Sequence, residues 1–288
     1  MKLFFFLSFL LTPFIALAQP DTEVFLFDLT FTNGKYAISN PINISNNPGY
    51  DSQPSFTPDG NGVLFSSTRN EQQDAALYNI STASKIWLSD SPGGEYSPTV
   101  MPNGTHFSTI ILKPDGEQLL WKYPLNGSGN AEVVVPDLVI GYHTWFDAST
   151  LFSFVLGEPA TLQKNDISTN TNTIITSNPG RSLHKIPGTQ SISFVDKSDD
   201  SKWVIKSYSP SENSTTPITE TLEGSEDMAW SSKLGIIFMG SGSKLYTYNP
   251  ETGNGWKEIA DLQELGLSGI TRVAVSPNDE KIAIVVNK

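Results

Sequence analysis

The stretch that decides the fold runs Tyr50-Asp-Ser-Gln-Pro-Ser-Phe-Thr-Pro-Asp-Gly60 and continues as Val63-Leu-Phe-Ser-Ser67. It reads as a short strand, a turn and a second, apolar strand. Proline presets φ for the turn, and Asp or Gly tolerates the positions that follow. The pattern recurs as Glu95-Tyr-Ser-Pro-Thr-Val-Met-Pro-Asn-Gly104 before His106-Phe-Ser-Thr-Ile-Ile111, and as Arg272-Val-Ala-Val-Ser-Pro-Asn-Asp-Glu280 before Ile282-Ala-Ile-Val-Val286. Fainter copies lie at Tyr142–Asp147 with Leu151–Leu156, at Leu183–Gly188 with Ser191–Val195, and at Met228–Ser232 with Gly235–Gly240. Taking the last apolar residue of each first strand gives Phe56, Val100, Phe146, Ile186, Trp230 and Val275, at spacings of 44, 46, 40, 44 and 45. A four-stranded propeller blade repeats at about 40–45 residues.

Each unit offers two further strands after this inner pair. In the first they are Ala75–Asn79 and Lys85–Leu88, joined by the polar turn Ser81–Ser84. In the second they are Gln118–Tyr123 and Ala131–Val135, joined across Asn126–Gly129. In a third they are Lys244–Tyr248 and Trp256–Ile259, joined by Pro250–Gly253. Brief β-rich runs bounded by turn residues are the hairpin signature. Helical periodicity is absent, apart from one or two turns between Ile259 and Leu267. The last unit stops at Lys288 after two strands, while the early chain supplies Glu23–Leu29, a turn at Asn33-Gly34, and Pro41–Ser45. Those are the two outer strands the last unit lacks. Sharing one blade between both ends removes the free edges of a circular array. The expected fold is all-β: a six-bladed β-propeller of four-stranded antiparallel blades, closed by N-terminal outer strands pairing with C-terminal inner strands. The repeats fall at roughly 47–92, 93–138, 139–179, 180–223 and 224–268, with 269–288 and 22–46 sharing the sixth.

Residues 1–18 stand outside this pattern. Met1-Lys2 supplies a positive start, Leu3–Leu17 is almost wholly apolar, and Ala16-Leu17-Ala18 is a small-residue cleavage pattern. Together they read as a secretory signal peptide. Its apolar run falls short of the roughly 20 residues that span a bilayer. Cleavage after Ala18 predicts a secreted or periplasmic single-domain chain of 270 residues, with no membrane span and no Cys. An exported chain without Cys relies on packing and hydrogen bonds in place of disulfides. The mature portion carries 17 basic against 30 acidic residues, a net charge of −13. A surface of that sign repels phosphate backbones, which argues against nucleic acid as a partner.

The stretch Asn47–Arg69, with its Gln53-Pro-Ser-Phe-Thr-Pro-Asp-Gly60 and Leu64-Phe-Ser-Ser-Thr-Arg69, resembles the repeat of TolB-type propellers. Phe25–Leu29 and Asn43–Gly49 extend the likeness upstream. The resemblance is specific in the first unit, fair in the second and last, and faint in the middle three. It implies a TolB-like scaffold for the whole mature chain. The N-terminal α/β domain that TolB also carries has no counterpart here, so a role in Tol-Pal assembly does not follow; fold alone does not fix function.

Catalytic signatures are missing from the sequence: there is no G-x-S-x-G elbow, H-E-x-x-H, phosphate-binding G-x-x-x-x-G-K or dinucleotide fingerprint. Without Cys, a thiol nucleophile or a Cys-bound zinc is excluded, and no cofactor is implied. Of three histidines, His106 reads as an ordinary strand residue. His143 and His184 fall two to three residues before their anchors, near the channel mouth on adjacent blades. They are either polar rim residues with ordinary hydrogen bonds or a metal or proton-transfer pair. The same register gives a predicted rim of Asp51 and Ser52, Glu95 and Tyr96, Tyr142 and His143, Arg181 and His184, Glu226 and Asp227, and Thr271 and Arg272. Loops held by rigid blades are where propellers carry function. That mixture suits a protein, peptide or glycan ligand, and the chain is read as a monomeric, non-catalytic recognition module. The alternatives are a metal-dependent propeller enzyme of lactonase or sugar-active type, with donors drawn from Glu95, His143, His184, Glu226 and Asp227, or a structural envelope component. Asp196–Asp200 reads as a solvated hairpin turn, since it lacks the spaced ligands of a calcium loop. Asn43, Asn79, Asn103, Asn126 and Asn213 begin N-x-Ser/Thr sequons, which matter only in a glycosylating host.

Overall fold

The computed structural model describes residues 20–127 and 129–288; the expected signal peptide lies outside the described residues. The chain opens with β1 (Thr22–Thr32) and β2 (Lys35–Asn43). Blade 1 follows as β3 (Ser52–Phe56), β4 (Gly62–Arg69), β5 (Gln72–Asn79) and β6 (Ser84–Trp87). Blade 2 is β7 (Gly94–Val100), β8 (His106–Leu112), β9 (Gln118–Pro124) and β10 (Glu132–Val135). Blade 3 is β11 (Ile140–Trp145), β12 (Thr150–Val155), β13 (Thr161–Asp166) and β14 (Thr171–Ser177). Blade 4 is β15 (Pro179–Lys185), β16 (Ile192–Asp196), β17 (Val204–Ser209) and β18 (Ser214–Glu220). Blade 5 is β19 (Met228–Trp230), β20 (Ile237–Ser241), β21 (Lys244–Tyr248) and β22 (Lys257–Asp261). The helical turn expected near its end is a single 3-10 turn, Leu262–Leu265, capped by Asp261. The chain ends with β23 (Ser268–Val275) and β24 (Lys281–Asn287).

Six four-stranded antiparallel sheets result. Five run in chain order, and the sixth is ordered β2-β1-β24-β23. In that closing blade Val24 faces Val285, Phe25 faces Ile284 and Asp28 faces Lys281 across the junction of the two chain ends. Asp28 and Lys281 form an ion pair there.

Ring closure is written in the core, which divides into six apolar clusters, one between each pair of neighbouring blades. Strand alternation explains how the closing blade serves two of them, since successive side chains leave a strand on opposite faces. Val24, Leu26, Ala283 and Val285 pack toward Val63, Phe65 and Tyr78 of blade 1. Phe27, Leu29, Ile282 and Ile284 pack toward Ala229, Phe238 and Leu245 of blade 5. A repeated polar contact also ties blades together: Trp145 Nε1 donates to Ser108 Oγ at 2.9 Å, and Trp230 Nε1 donates to Ser193 Oγ at 2.8 Å. In each case an inner-strand Trp reaches the second strand of the blade before it.

The structure corrects the repeat anchors in two blades. The last inner-strand residues are Trp145, opposite Leu151, and Lys185, opposite Ile192, matching Trp230 opposite Ile237. Phe146 and Ile186 lie one residue further on, where their amides close the turn. Choosing the last apolar residue slipped the register by one in both blades, because Phe146 is apolar beyond the strand and Lys185 is polar within it.

Candidate functional site

The inner strands β3, β7, β11, β15, β19 and β23 surround a central cavity of about 190 Å³ to which all six contribute. Five of these strands carry a register irregularity near their start. A bulge places an extra residue on one strand and re-aims the side chains beside it. In β3 and β7 the bulge holds Gln53 and Ser97 at φ 59° and 54°. The Ser97 amide donates to Gln53 Oε1 at 2.8 Å, joining blades 1 and 2 beside the cavity.

Of the twelve rim residues expected from sequence, Tyr142, His143, Arg181, His184, Asp227 and Arg272 line this cavity. Asp227 is its electrostatic centre. Arg272 Nη1 lies 2.5 Å from Asp227 Oδ1, while Arg181 donates Nε to Oδ2 at 3.0 Å and pairs through Nη2 as well. Arg272 also reaches the Tyr142 hydroxyl at 3.2 Å and lies 5.2 Å over its ring. The side chains of Arg272 and Asp227 are only 11% and 12% exposed, and that of Arg181 is 33% exposed. Carboxylates beside both guanidiniums raise their pKa values, so Arg181 and Arg272 stay charged. Glu226 stands just outside, 3.2 Å from Arg181 Nε and 3.0 Å from Lys197 Nζ. Two further hollows meet at Arg181: one of about 210 Å³ toward Trp203 and Ile270, and one of about 430 Å³ toward Phe154 and Leu156.

The structure does not bring Asp51, Glu95 or Tyr96 to the cavity. Asp51 is fully buried at the seam with β1, where its carboxylate accepts from Asn47 at 3.2 Å and its amide hydrogen-bonds Thr22. Glu95 is also fully buried and joins blade 1 to blade 2. It accepts from Ser91 at 2.6 Å, the Tyr123 hydroxyl at 2.9 Å and the Ala75 amide at 3.2 Å, and it bonds Ser89. Burial raises both carboxyl pKa values. Tyr96 is half-buried against the cluster between blades 2 and 3. All three precede their strand's bulge or sit at its first residue, so the register that places their neighbours on the axis does not apply to them. Gln53, Ser55, Ser97 and Thr99, which line the cavity instead, were missed. The aligned Gln53-Pro54-Ser55 and Ser97-Pro98-Thr99 were the signal, since both recur at one place in the repeat.

The two histidines do not form a pair. His143 stands two residues before the end of its inner strand and His184 one before the end of its own, so they leave on opposite faces. His143 is 8% exposed, and Nε2 hydrogen-bonds Ser108 Oγ at 2.7 Å; His184 Nε2 meets Ser182 Oγ at 3.1 Å. Burial pushes both imidazoles down to about 4, partly opposed at His184 by Asp227. Both are therefore neutral near pH 7. Among the described residues, no three His, Asp or Glu side chains gather in a metal-holding arrangement, so the expected donor set does not converge.

The fold and its channel define a six-bladed β-propeller of TolB type. Among solved structures the chain is similar to a protein assigned as TolB from Agrobacterium tumefaciens, with 14% identity and a TM-score of 0.70 over 94% of this chain and 99% of that one. It is similar to TolB from Acinetobacter baumannii at 11% identity and a TM-score of 0.61, covering 93% of this chain and 64% of that one. An oligogalacturonate lyase from Vibrio parahaemolyticus matches at 14% identity and a TM-score of 0.53, covering 93% and 98%. At such identities the likeness is one of fold. No protein-family model and no curated protein matches the chain.

Proposed function

We propose that the chain is an exported, non-catalytic recognition propeller that binds a polypeptide across the channel mouth. The observation that carries this reading is the six-walled cavity of about 190 Å³, which shares Arg181 as a wall with two further hollows. It lies below the 300–1,000 Å³ of ordinary small-molecule pockets, and holds about six waters at a liquid volume near 30 Å³ each. Such a cavity admits one side chain or a chain end, with the rest of the ligand lying outside. The half-exposed Tyr142 and the charged groups of Arg181, Lys197 and Glu226 supply the mixed apolar and polar contacts a peptide needs. Export rests on Met1–Ala18, and among the described residues no helix is long and apolar enough to cross a membrane.

The test passes an envelope extract of the producing organism over the immobilised chain and over an Arg181→Ala/Glu226→Ala variant. The reading expects a protein retained by the native chain and lost from the variant. Equal retention on both places the binding elsewhere. Stoichiometric metal in the native chain, lost on His143→Ala and His184→Ala, contradicts it in favour of a metal-dependent enzyme.

A further inference from the structure

We infer that the group entering the channel is a single carboxylate, from an acidic side chain or a polypeptide C-terminus, received by Arg181, Ser97 and His143. The inference rests on the recognition reading above and names the chemistry it selects.

Charge comes first. The mouth gathers three cations, Arg181, Arg272 and Lys197, around two carboxylates, Asp227 and Glu226. With both histidines neutral, this leaves one uncompensated positive charge in a protein whose overall charge is strongly negative. One excess charge suits a carboxylate better than a dianion such as a phosphate monoester. Arg181 is also the least buried of the guanidiniums at the cavity, and its Nη1 makes no hydrogen bond to a described residue. A guanidinium presents five N–H donors, so an edge remains for a second carboxylate beside Asp227.

Two further polar atoms at the wall lack partners. Ser97 Oγ and His143 Nδ1 are buried and make no hydrogen bond, and both residues line the cavity. A buried polar group without a partner is costly, so each such atom calls for an explanation. The hydrogen bonds around Ser108 bear on the His143 tautomer. Ser108 Oγ already accepts from Trp145 Nε1 at 2.9 Å. Its own hydrogen has His143 Nε2 at 2.7 Å and only the distant Thr99 carbonyl at 3.4 Å as acceptors. We assign the hydroxyl hydrogen to the nearer acceptor, Nε2, and a neutral imidazole accepting there carries its hydrogen on Nδ1. The unmatched groups at this cavity are thus donors: a guanidinium edge, an imidazole N–H and a hydroxyl. A carboxylate, accepting only, is their complement.

The test titrates the protein with three capped dipeptides: acetyl-Gly-Glu-amide, acetyl-Gly-Gly with a free C-terminus, and acetyl-Gly-Gln-amide. Binding is followed by the His143 ring resonances. At least one acidic peptide should bind about tenfold to a hundredfold tighter than the glutamine peptide, as charge-assisted hydrogen bonds imply. Preference for the first identifies a side-chain carboxylate as the source, and preference for the second a chain end. Arg181→Gln should abolish the discrimination. Ser97→Gly, suited to that residue's positive φ, should weaken the acidic peptide several-fold and serves if the arginine variant does not fold. Equal binding of the glutamine peptide overturns the inference while leaving peptide recognition standing. Failure of all three to move the His143 resonances overturns both.

Discussion

Acidification should weaken the fold through His143, and the size of the effect follows from its burial. In the folded chain the imidazole is held down to about 4, against about 6.5 in an unfolded one. As pH falls from about 6.5 to 4, the unfolded chain takes up this proton and the folded chain does not, so stability drops over that window. The loss reaches about 3 kcal/mol at pH 4, at 1.36 kcal/mol per pH unit of displacement. His184 adds in the same direction. Glu95 and Asp51 oppose both, since their raised pKa values let the folded chain gain protons first as pH falls. The contribution of His143 is isolated by His143→Met, because Leu183 and Met228 fill the corresponding inner-strand position in blades 4 and 5. Urea unfolding at pH 7, 6, 5 and 4.5 should show the native chain losing about 2–3 kcal/mol more than the variant. Parallel profiles, agreeing within about 0.5 kcal/mol, would refute the buried neutral imidazole and the Nδ1–H donor argued from it.

Other substitutions probe other joints. Phe27→Ala removes a ring that is 1% exposed between the closing blade and blade 5, and should cost about 4 kcal/mol in urea unfolding. Leu26→Ala, one residue away but packed toward blade 1, should cost about 3 kcal/mol. Glu95→Ala strips the acceptor from Tyr123, Ser91 and the Ala75 amide, and should destabilise by about 3 kcal/mol without altering peptide binding. Asp227→Ala leaves the nearly buried Arg272 without its carboxylate and should cost about 3 kcal/mol or more, read by the same unfolding experiment.

Much of the architecture was legible because its signals are local and repeat. A Pro-Asp or Pro-Asn turn between short apolar strands marks a hairpin wherever it falls, and six copies at a near-constant interval fix the blade count. The missing outer strands of Arg272–Lys288 were legible as Glu23–Ser45 because strand number is a property of the sequence itself. Register was harder. Phe146 and Lys185 inverted the apolar cue at the strand ends and shifted both anchors by one residue, while the one-residue difference between the offsets of His143 and His184, which sends them to opposite faces, was passed over. The cavity was partly legible, through Tyr142, Arg181, Asp227 and Arg272. Glu95 and Asp51 were misplaced because a charged residue beside a predicted rim reads as exposed. Nothing local reveals that Ser91, Tyr123 and Ala75, or Asn47 and Thr22, fold over them. Ala75 and Thr22 come from the neighbouring blade, beyond the reach of a single repeat, while Ser91 and Asn47, four residues away in sequence, carry no pattern that marks the contact.

The most direct test of the ring is a cross-link between its ends. Asp28 and Lys281 face each other on β1 and β24, 253 residues apart in sequence, and the chain has no Cys of its own. Directly opposed residues in an antiparallel pair lie about 4.5–5.5 Å apart at Cα, within reach of a disulfide. Asp28→Cys/Lys281→Cys should oxidise to an intramolecular disulfide in the monomer, seen as faster migration without reductant and as one linked pair of terminal peptides by mass spectrometry. Free thiols after oxidation, or only intermolecular dimers, would contradict a propeller closed by its two ends.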